Sequence, residues 1–256
     1  MPEALPGSQV VARVAAILRA LSASPGGLPT RTVASTTGLT RPTTYRLLRS
    51  LALEGYVDFD ETRSRWVLGT ELFVLGTVAG ARHDITELAI PHVRRLAAVT
   101  GESAFLSIRR GDETVCLLRE EGSFPVRSFV LYEGVRFPLG VASAGLAILS
   151  FSKPEEVDAY FRRWGNPWGT GHSEAEIRDR ILRTREQGFA VNPGLIVEGS
   201  WGMGAAVFDA TRNATYALSI TGIEQRFGSA RLPVLGRALL EEAHQFSRRL
   251  AGRAGR

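Results

Sequence analysis

Residues 28–57 have the sequence LPTRTVASTTGLTRPTTYRLLRSLALEGYV, which predicts two short helices joined by a turn at Gly38. Residues 28–52 contain no acidic side chain but four arginines, Arg31, Arg41, Arg46 and Arg49. A basic helix that follows a sharp turn can bury one face and present donors to phosphates and base edges. The stretch therefore predicts a helix-turn-helix that binds DNA.

The second helix of this stretch is predicted to be the recognition helix. Leu48, Leu51 and Ala52 recur at helical spacing and form one apolar face. Pro42 falls in the first turn, where a missing N–H costs little. Tyr45 either packs beneath the helix or contacts a phosphate. The residues expected to contact DNA lie mostly off the apolar face and are Arg31, Thr40, Arg41, Thr43, Thr44, Tyr45, Arg46 and Arg49.

The surrounding sequence completes a winged helix-turn-helix. Apolar residues at helical spacing predict a first helix over residues 8–21, and Thr30 and Thr40 are placed to cap the next two helices. Residues 56–60 and 65–68 are β-prone and flank a polar turn, which indicates a hairpin. We expect Arg63 and Arg65 at the tip of this hairpin to contact DNA as well. The alternative is a plain three-helix bundle with surface arginines.

Three domains or segments are predicted along the chain. The winged helix-turn-helix covers residues 8–69, and a linker helix covers residues 70–83. The sequence TELFVLGTVAGA of residues 70–81 is apolar on more than one face, so we expect it to be buried. Its partner is either a second chain or the rest of its own chain. A third segment, residues 84–251, has a different pattern.

Residues 84–251 mix helices with strands that are joined by short turns. Helices are predicted over residues 84–100, 142–151, 154–164, 173–187 and 232–250, and Ser173 is placed to cap the fourth of them. Strands are predicted over residues 103–108, 114–118, 126–132, 189–192, 203–208 and 215–221. This order predicts an α+β domain with a largely antiparallel sheet.

Composition sets limits on the function. The formal charge is +5, and residues 1–70 carry eight arginines against five acids, which favours a polyanionic partner. Nearly every basic residue in the chain is arginine, which also fits a codon bias. The single cysteine, Cys116, fits a reducing compartment. We expect no signal peptide, no membrane span and a cytoplasmic location.

Catalytic chemistry finds no support in the sequence. The histidines His83, His92, His172 and His244 are scattered, without metal-ligand spacing or a neighbouring nucleophile. The run Trp201-Gly202-Met203-Gly204 is rich in glycine, but it leads into a strand rather than a helix. We therefore expect no cofactor, no metal and no enzymatic activity. An enzyme is kept only as a remote alternative.

Four segments in this order and spacing resemble the IclR family of bacterial transcriptional regulators. They are GLTRPTTYRLLRSLALEGYV, GVRFPLGVASAGLAIL, REQGFAVNPGLIVEGSWGMGAAVFD and YALSITG. The resemblance implies a winged helix-turn-helix joined by a linker helix to a GAF-like domain that binds a small organic effector, such as a carboxylic or aromatic acid. It also implies a homodimer or homotetramer on a DNA operator. We expect a repressor of catabolic or related metabolic genes.

The resemblance also implies the residues of the effector pocket, which are Ser143, Ala144, Asn192, Gly202, Ser219 and Thr221. Many relatives have a His and a Lys where this sequence has Gly140 and Leu146, which indicates a more apolar pocket. Ser143 and Ala144 open a helix whose free N–H groups suit a carboxylate. Ser219 and Thr221 are two apart on a strand and face one side. The alternatives are ordinary capping and strand residues, or a C-terminal domain that only oligomerises.

Overall fold

The computed structural model describes residues 9–80, 85–165 and 168–253. The chain divides into two compact units, with the boundary between residues 84 and 85. The first unit contains α1 (Gln9–Ser22), α2 (Thr30–Thr37), α3 (Arg41–Leu53), β1 (Val57–Asp60), β2 (Arg65–Leu68) and α4 (Thr70–Gly80). Within the described ranges, no helix has the length and apolar character needed to cross a membrane.

The first unit is the winged helix-turn-helix that the sequence predicts. Helix α2 ends at Gly38 in the left-handed conformation, with φ of 68°, and Gly55 takes φ of 73° just beyond α3. Both positions favour glycine because a Cβ would strain this backbone conformation. Strands β1 and β2 form the antiparallel wing. The core of the unit is formed by Ile17, Leu21, Val33, Leu48, Leu51, Val57 and Trp66.

Two of the predicted helix caps are wrong in their chemistry. Helix α2 is preceded by Pro29, and the hydroxyl of Thr30 instead accepts a hydrogen bond from the indole N–H of Trp66, at 3.0 Å. Thr40 does occupy the capping position of α3, but its hydroxyl makes no capping bond. It donates to the Thr43 hydroxyl at 2.9 Å instead.

Helix α4 is exposed in the single chain, and its predicted burial against a second chain stays a prediction. No residue of α4 is buried, and Phe73 and Val78 are 78% and 65% exposed. A helix this apolar gains nothing from contact with water. The rest of the first unit therefore does not cover the apolar side chains of α4.

The second unit is α+β, with a six-stranded sheet in which all pairs are antiparallel and the order is β5-β4-β3-β8-β7-β6. Its helices are α5 (Ile85–Thr100), α6 (Ser143–Ser150), α7 (Pro154–Arg163), α8 (Glu174–Gln187) and α9 (Leu232–Arg253). Its strands are β3 (Ser103–Arg110), β4 (Glu113–Glu120), β5 (Arg136–Pro138), β6 (Ala190–Pro193), β7 (Ser200–Phe208) and β8 (Ala214–Ile223). The predicted fold class is confirmed.

One predicted strand is absent and one predicted cap is present. Residues 126–132 form no strand, and the whole segment 121–135 between β4 and β5 has neither helix nor strand. The alternating apolar residues there do not pack as a sheet, because Phe129 and Val126 are exposed. Ser173 does cap α8, and its hydroxyl accepts the N–H of Glu176 at 3.3 Å.

The sheet carries two different faces. Met203, Ala205 and Val207 of β7 pack in one core with α5 and α9. The alternate residues Gly202 and Gly204 point to the other face, because successive strand residues alternate in direction. Helix α6 covers that face, and all eight of its residues are buried.

Because Gly202 and Gly204 of β7 have no side chain, α6 can approach the sheet closely. A Cβ built on Gly204 would lie 2.6 Å from the carbonyl oxygen of Ser143 and 2.9 Å from the backbone nitrogen of Ala144. A Cβ on Gly202 would lie 3.2 Å from the Ser143 Oγ. The first turn of α6 therefore rests on bare backbone, directly beside β8.

We expect Gly204→Ala to lower the free energy of unfolding by about 1–3 kcal/mol, because the new methyl overlaps the backbone of α6, which cannot yield as a side chain would. Gly228→Ala is the matched control, since a Cβ at Gly228 would meet nothing within 4 Å. Urea unfolding of both variants measures the difference. Equal stability of the two variants would contradict the close approach of α6 to β7.

Candidate DNA-binding surface and ligand cavity

The outer face of α3 presents basic side chains to solvent. Arg41, Arg46 and Arg49 are exposed, and the described residues include no ion pair with any of them. Tyr45 is 52% exposed, so it does not pack beneath the helix. Arg31 is exposed on α2. This face offers unpaired guanidinium groups of the kind that bind phosphate oxygens and guanine edges.

Thr44 does not belong to that face, and its predicted contact with DNA is wrong. Its side chain is fully buried, and the Oγ1 donates to the carbonyl oxygen of Thr40 at 3.0 Å. Helical spacing explains the error, because Thr44 lies four residues before Leu48 and shares its buried side. Thr43 is half-buried and accepts the hydrogen bond from Thr40.

The two arginines of the wing have different surroundings. Arg63 lies in the turn with 70% of its side chain exposed, near Asp60, whose Oδ2 is 3.9 Å from the guanidinium. Such an exposed pair is weak, so Arg63 can exchange Asp60 for a phosphate. The guanidinium of Arg65 donates to the carbonyl oxygen of Gly27 at 3.0 Å, which ties the loop before α2 to the wing.

A cavity lies in the second unit between the sheet, the first turn of α6 and the segment 121–135. It encloses about 490 Å³ of space free of atoms, its mouth included. Its lining residues are Ser107, Thr114, Cys116, Val130, Leu131, Val135, Phe137, Ala142, Ser143, Ala144, Asn192, Ile196, Ser200, Trp201, Gly202, Ser219 and Thr221. All six residues predicted for the effector pocket lie in this lining.

The hydroxyls of Ser219 and Thr221 are the unusual groups of the cavity. Both side-chain oxygens are buried, and neither has a hydrogen-bond partner among the described residues. Buried polar atoms normally find a partner, because leaving one unpaired costs about 1–3 kcal/mol. These two hydroxyls are therefore available to a bound molecule.

The other predicted pocket residues shape the cavity. Asn192 is already engaged, because its amide donates to the carbonyl oxygen of Val141 at 2.8 Å and accepts the N–H of Leu195 at 3.0 Å. Gly202 leaves room for the Ser143 hydroxyl. Ser143 and Ala144 start α6, and the first N–H groups of a helix have no partner within it. The closed end of the cavity therefore combines hydroxyls with a helix N-terminus.

Gly140 and Leu146, where the resemblance implies His and Lys in many relatives, are both closely packed. A Cβ on Gly140 would lie 2.6 Å from the Ile177 Cδ1, and the Gly140 N–H donates to the Tyr160 hydroxyl at 3.0 Å. Leu146 is a buried core residue. Burial raises the pKa of Tyr160 to about 12, so its hydroxyl stays protonated. Neither position can supply a charge to the cavity.

Several lining residues escaped the sequence reasoning. Leu131, Phe137 and Trp201 give the cavity apolar walls, and Ser107 lies on the same face of β3 as Phe105. Ser107 could have been found from the sequence, because it is a polar residue within an apolar run of β3. Cys116 is also in the wall, where burial and then the charge of Glu133 raise the pKa of its thiol to about 12. No Asp, Glu, His, Lys or Arg occurs among the described lining residues.

The described histidines lie outside the cavity lining. His92 and Glu242 are both buried, and their Nδ1 and Oε2 atoms are 2.8 Å apart between α5 and α9. His172 is buried, and desolvation followed by the charge of Arg180 lowers its pKa. His244 is exposed, and His83 lies outside the described residues. Over the described ranges, no cluster of His, Cys, Asp and Glu has the arrangement of a metal site.

Comparison with known families and proteins agrees with this geometry. The family described as bacterial transcriptional regulator IclR C-terminal matches residues 78–248, and the IclR helix-turn-helix domain matches residues 10–61. The chain belongs to the IclR family. It is 28% identical over 257 residues to the HTH-type transcriptional repressor AllR of Escherichia coli strain K12, covering 99% of this chain and 94% of AllR.

Solved structures of IclR-family proteins resemble the chain over almost its whole length. The IclR transcriptional regulator from Alicyclobacillus acidocaldarius is 25% identical with a TM-score of 0.79, covering 95% of this chain and 98% of that one. An IclR homologue from Microbacterium hydrocarbonoxydans in complex with 4-hydroxybenzoate is 20% identical with a TM-score of 0.76, covering 95% and 100%. This second likeness shows the fold alone.

Membership of the IclR family makes the chain a DNA-binding transcriptional regulator. Both matching domain families belong to transcriptional regulators rather than enzymes. The expectations of a regulator, of a helix-turn-helix and of no catalytic activity are thereby confirmed. Arg46 and Thr44 are two residues apart on α3 but have different surroundings. Arg46 is exposed and available for contact with DNA, whereas Thr44 is buried and supports the helix.

Opposite effects are expected from Arg46→Ala and Thr44→Val. Arg46→Ala should weaken DNA binding by about 1–3 kcal/mol if it contacts a base, with unchanged stability because the side chain is exposed. Thr44→Val should lower the free energy of unfolding by about 0.5–1.5 kcal/mol through its lost hydrogen bond, and leave DNA affinity unchanged. Binding titrations and urea unfolding give both quantities. A larger loss of DNA affinity in Thr44→Val would restore Thr44 to the DNA surface.

Proposed function

We propose that this IclR-family regulator represses its target genes as a dimer, or as a pair of dimers, and that a small organic acid held in the cavity controls its binding to the operator. The observation that carries the proposal is the pair of buried, unpartnered hydroxyls of Ser219 and Thr221. Relatives support the direction of control, because AllR is named as a repressor.

Helix α3 enters the major groove, with Arg41, Arg46 and Arg49 as its donors. The exposure of these three side chains and their freedom from ion pairs among the described residues support this role. Arg63 adds a contact from the turn of the wing, whereas Arg65 mainly holds the loop at Gly27. A single helix covers only half of a two-fold related operator, so two copies are needed.

Helix α4 supplies the contact between the two copies. Phe73, Val74 and Val78 are each at least half exposed, and they lie on more than one side of a short helix. Neighbouring exposed apolar side chains of this kind mark interaction surfaces. Two-fold pairing of α4 would bury these side chains and fix the spacing of the two recognition helices.

Phe73→Glu is expected to weaken the dimer by about 2 kcal/mol or more, because pairing would bury a charge, and operator affinity should fall with it. Val99→Glu, on an exposed position of α5, is the matched control and should change neither property. Analytical ultracentrifugation and operator binding measure the two quantities. A Phe73→Glu variant that stays dimeric would place the dimer contact elsewhere.

The effector has an acceptor-rich head group and an apolar body. The head group accepts from the Ser219 and Thr221 hydroxyls and from the first N–H groups of α6, which suit a carboxylate. Leu131, Phe137 and Trp201 surround the body. The bound 4-hydroxybenzoate of the Microbacterium homologue has this chemistry. Dianions and cations are disfavoured, because the described lining offers no opposite charge.

Control of DNA binding requires that the effector distinguish two states of the regulator. An effector that binds the DNA-free state more tightly shifts the population toward it, by no more than its difference in affinity. For a repressor of catabolic genes, the effector is then an inducer. The effector should lower the affinity of the protein for the operator by some factor, and its own affinity should be lower for the operator complex than for the free protein by that same factor.

The double variant Ser219→Ala, Thr221→Ala is expected to lose about 1–3 kcal/mol of affinity for 4-hydroxybenzoate or another aromatic monocarboxylate that binds the wild type, as two lost hydrogen bonds imply. Operator affinity without ligand should stay unchanged. Ser103→Ala is the matched control, because the Ser103 hydroxyl is equally buried and unpartnered among the described residues but lies outside the cavity lining. Isothermal titration of a panel of such acids measures the effect.

Two results would contradict this assignment. Equal affinity of the double variant and the wild type would remove Ser219 and Thr221 from the site. A wild-type protein whose operator affinity and thermal stability respond to no small acid would favour the alternative, in which the C-terminal domain only oligomerises. The Ser103→Ala control separates either outcome from a general loss of folding.

A further inference from the structure

The polar groups that a ligand would contact are buried at the inner end of the cavity. Ser219 is fully buried, and Thr221 and Asn192 are less than one tenth exposed. A molecule larger than water can reach these side chains only if part of the wall moves aside. The secondary structure of each wall segment indicates which part can move.

Most of the wall is held by regular structure. Strands β3, β4, β7 and β8 are joined by continuous hydrogen-bonded ladders, and α6 is buried along its whole length. Three stretches of the wall have neither helix nor strand, residues 121–135, 139–142 and 194–199. Segments with few backbone hydrogen bonds open at the lowest cost in free energy. A loop as long as 121–135 is also uncommon without a function.

A single hydrogen bond joins the middle of the stretch 121–135 to the first residue of β7. The Oγ atoms of Ser128 and Ser200 are 2.6 Å apart, and Ser200 follows the stretch 194–199 directly. Among the described residues, no other hydrogen bond connects residues 125–131 with a distant part of the chain. Beneath this bond, Val130 and Leu131 form the wall of the cavity.

The two ends of the long stretch are anchored. The Phe124 N–H donates to the carbonyl oxygen of Gly101 at 3.1 Å, and the Gly134 N–H donates to that of Cys116 at 2.8 Å. Gly134 takes φ of 83°, a conformation that glycine adopts without strain. The part between the anchors can therefore swing without breaking the sheet.

We propose that residues 125–131 form a lid over the cavity and that the Ser128–Ser200 hydrogen bond is its latch. Opening of the lid breaks this bond, moves Leu131 off the cavity and exposes Ser219 and Thr221. The latch sets the rate at which a ligand enters and leaves. The proposal rests on the proposed function only for what passes the lid, since the motion itself belongs to the ligand-free protein.

Cys116 provides a probe of the lid that needs no effector. It is the only cysteine of the chain, it lines the cavity, and it is 2% exposed. A small thiol reagent such as methyl methanethiosulfonate can label it only after an opening. Burial keeps the thiol protonated in the closed state, so all variants are compared at one pH. The labelling rate then reports the population of the open lid.

Ser128→Ala and Ser200→Ala should each raise the labelling rate of Cys116 about three- to tenfold, as the loss of one neutral hydrogen bond implies. The rate should depend only weakly on urea, because a lid exposes little surface compared with global unfolding. Ser247→Ala is the control. This serine bonds to Ala243 and Phe208 in the same unit but lies outside the cavity lining, and its loss should not change the rate.

A disulfide tests the lid in the opposite direction. The variant Ser128→Cys, Ser200→Cys places two thiols where the hydroxyls are in contact, so oxidation should lock the lid and leave Cys116 as the one free thiol. Labelling of Cys116 should then fall below the wild-type rate and recover after reduction, as followed by peptide mass spectrometry. Unchanged labelling in both serine variants, or labelling as steep in urea as global unfolding, would overturn the lid. Neither result would bear on effector binding.

Discussion

The close approach of α6 to strand β7 is the constraint on which the ligand-binding half of the molecule depends. The first turn of α6 lies where the side chain of residue 204 would be, and only glycine leaves that space free. Because β8 is the neighbour of β7, the same approach brings the start of α6 beside Ser219 and Thr221. The cavity thus arises from a strand that lacks side chains and a neighbouring strand that carries hydroxyls.

This arrangement determines how a ligand can be recognised. The positions where many relatives carry His and Lys are occupied here by Gly140, closed off by Ile177 and Tyr160, and by Leu146 within the core. Neither position therefore carries a charged side chain in this protein. Recognition must therefore rely on hydrogen bonds from hydroxyls and helix N–H groups, whose strength depends on the cavity being dry and closed. Closure and recognition are linked by this physical need.

Periodicity predicted the elements of the fold well, because each depends on a local pattern of burial. The three helices and wing of the first unit and the antiparallel sheet of the second follow from spacing alone. Contacts between distant residues did not follow. The Thr30 hydroxyl meets Trp66, 36 residues away, and no local rule could choose that partner over a cap. The strand expected at residues 126–132 failed because its apolar residues face a cavity and solvent rather than a sheet.

The pocket residues were located by motif position, whereas the walls opposite them were not. Ser219 and Thr221 lie on one regular strand, so their shared direction was predictable. Leu131 and Ser128 lie in an irregular segment, where the direction of a side chain depends on contacts such as the one between Ser128 and Ser200, 72 residues later.

Helix α4 is a second case in which the sequence does not reveal the contact partner. Its apolar composition predicts that it is buried, yet a single sequence contains no sign of whether its own chain or another one buries it.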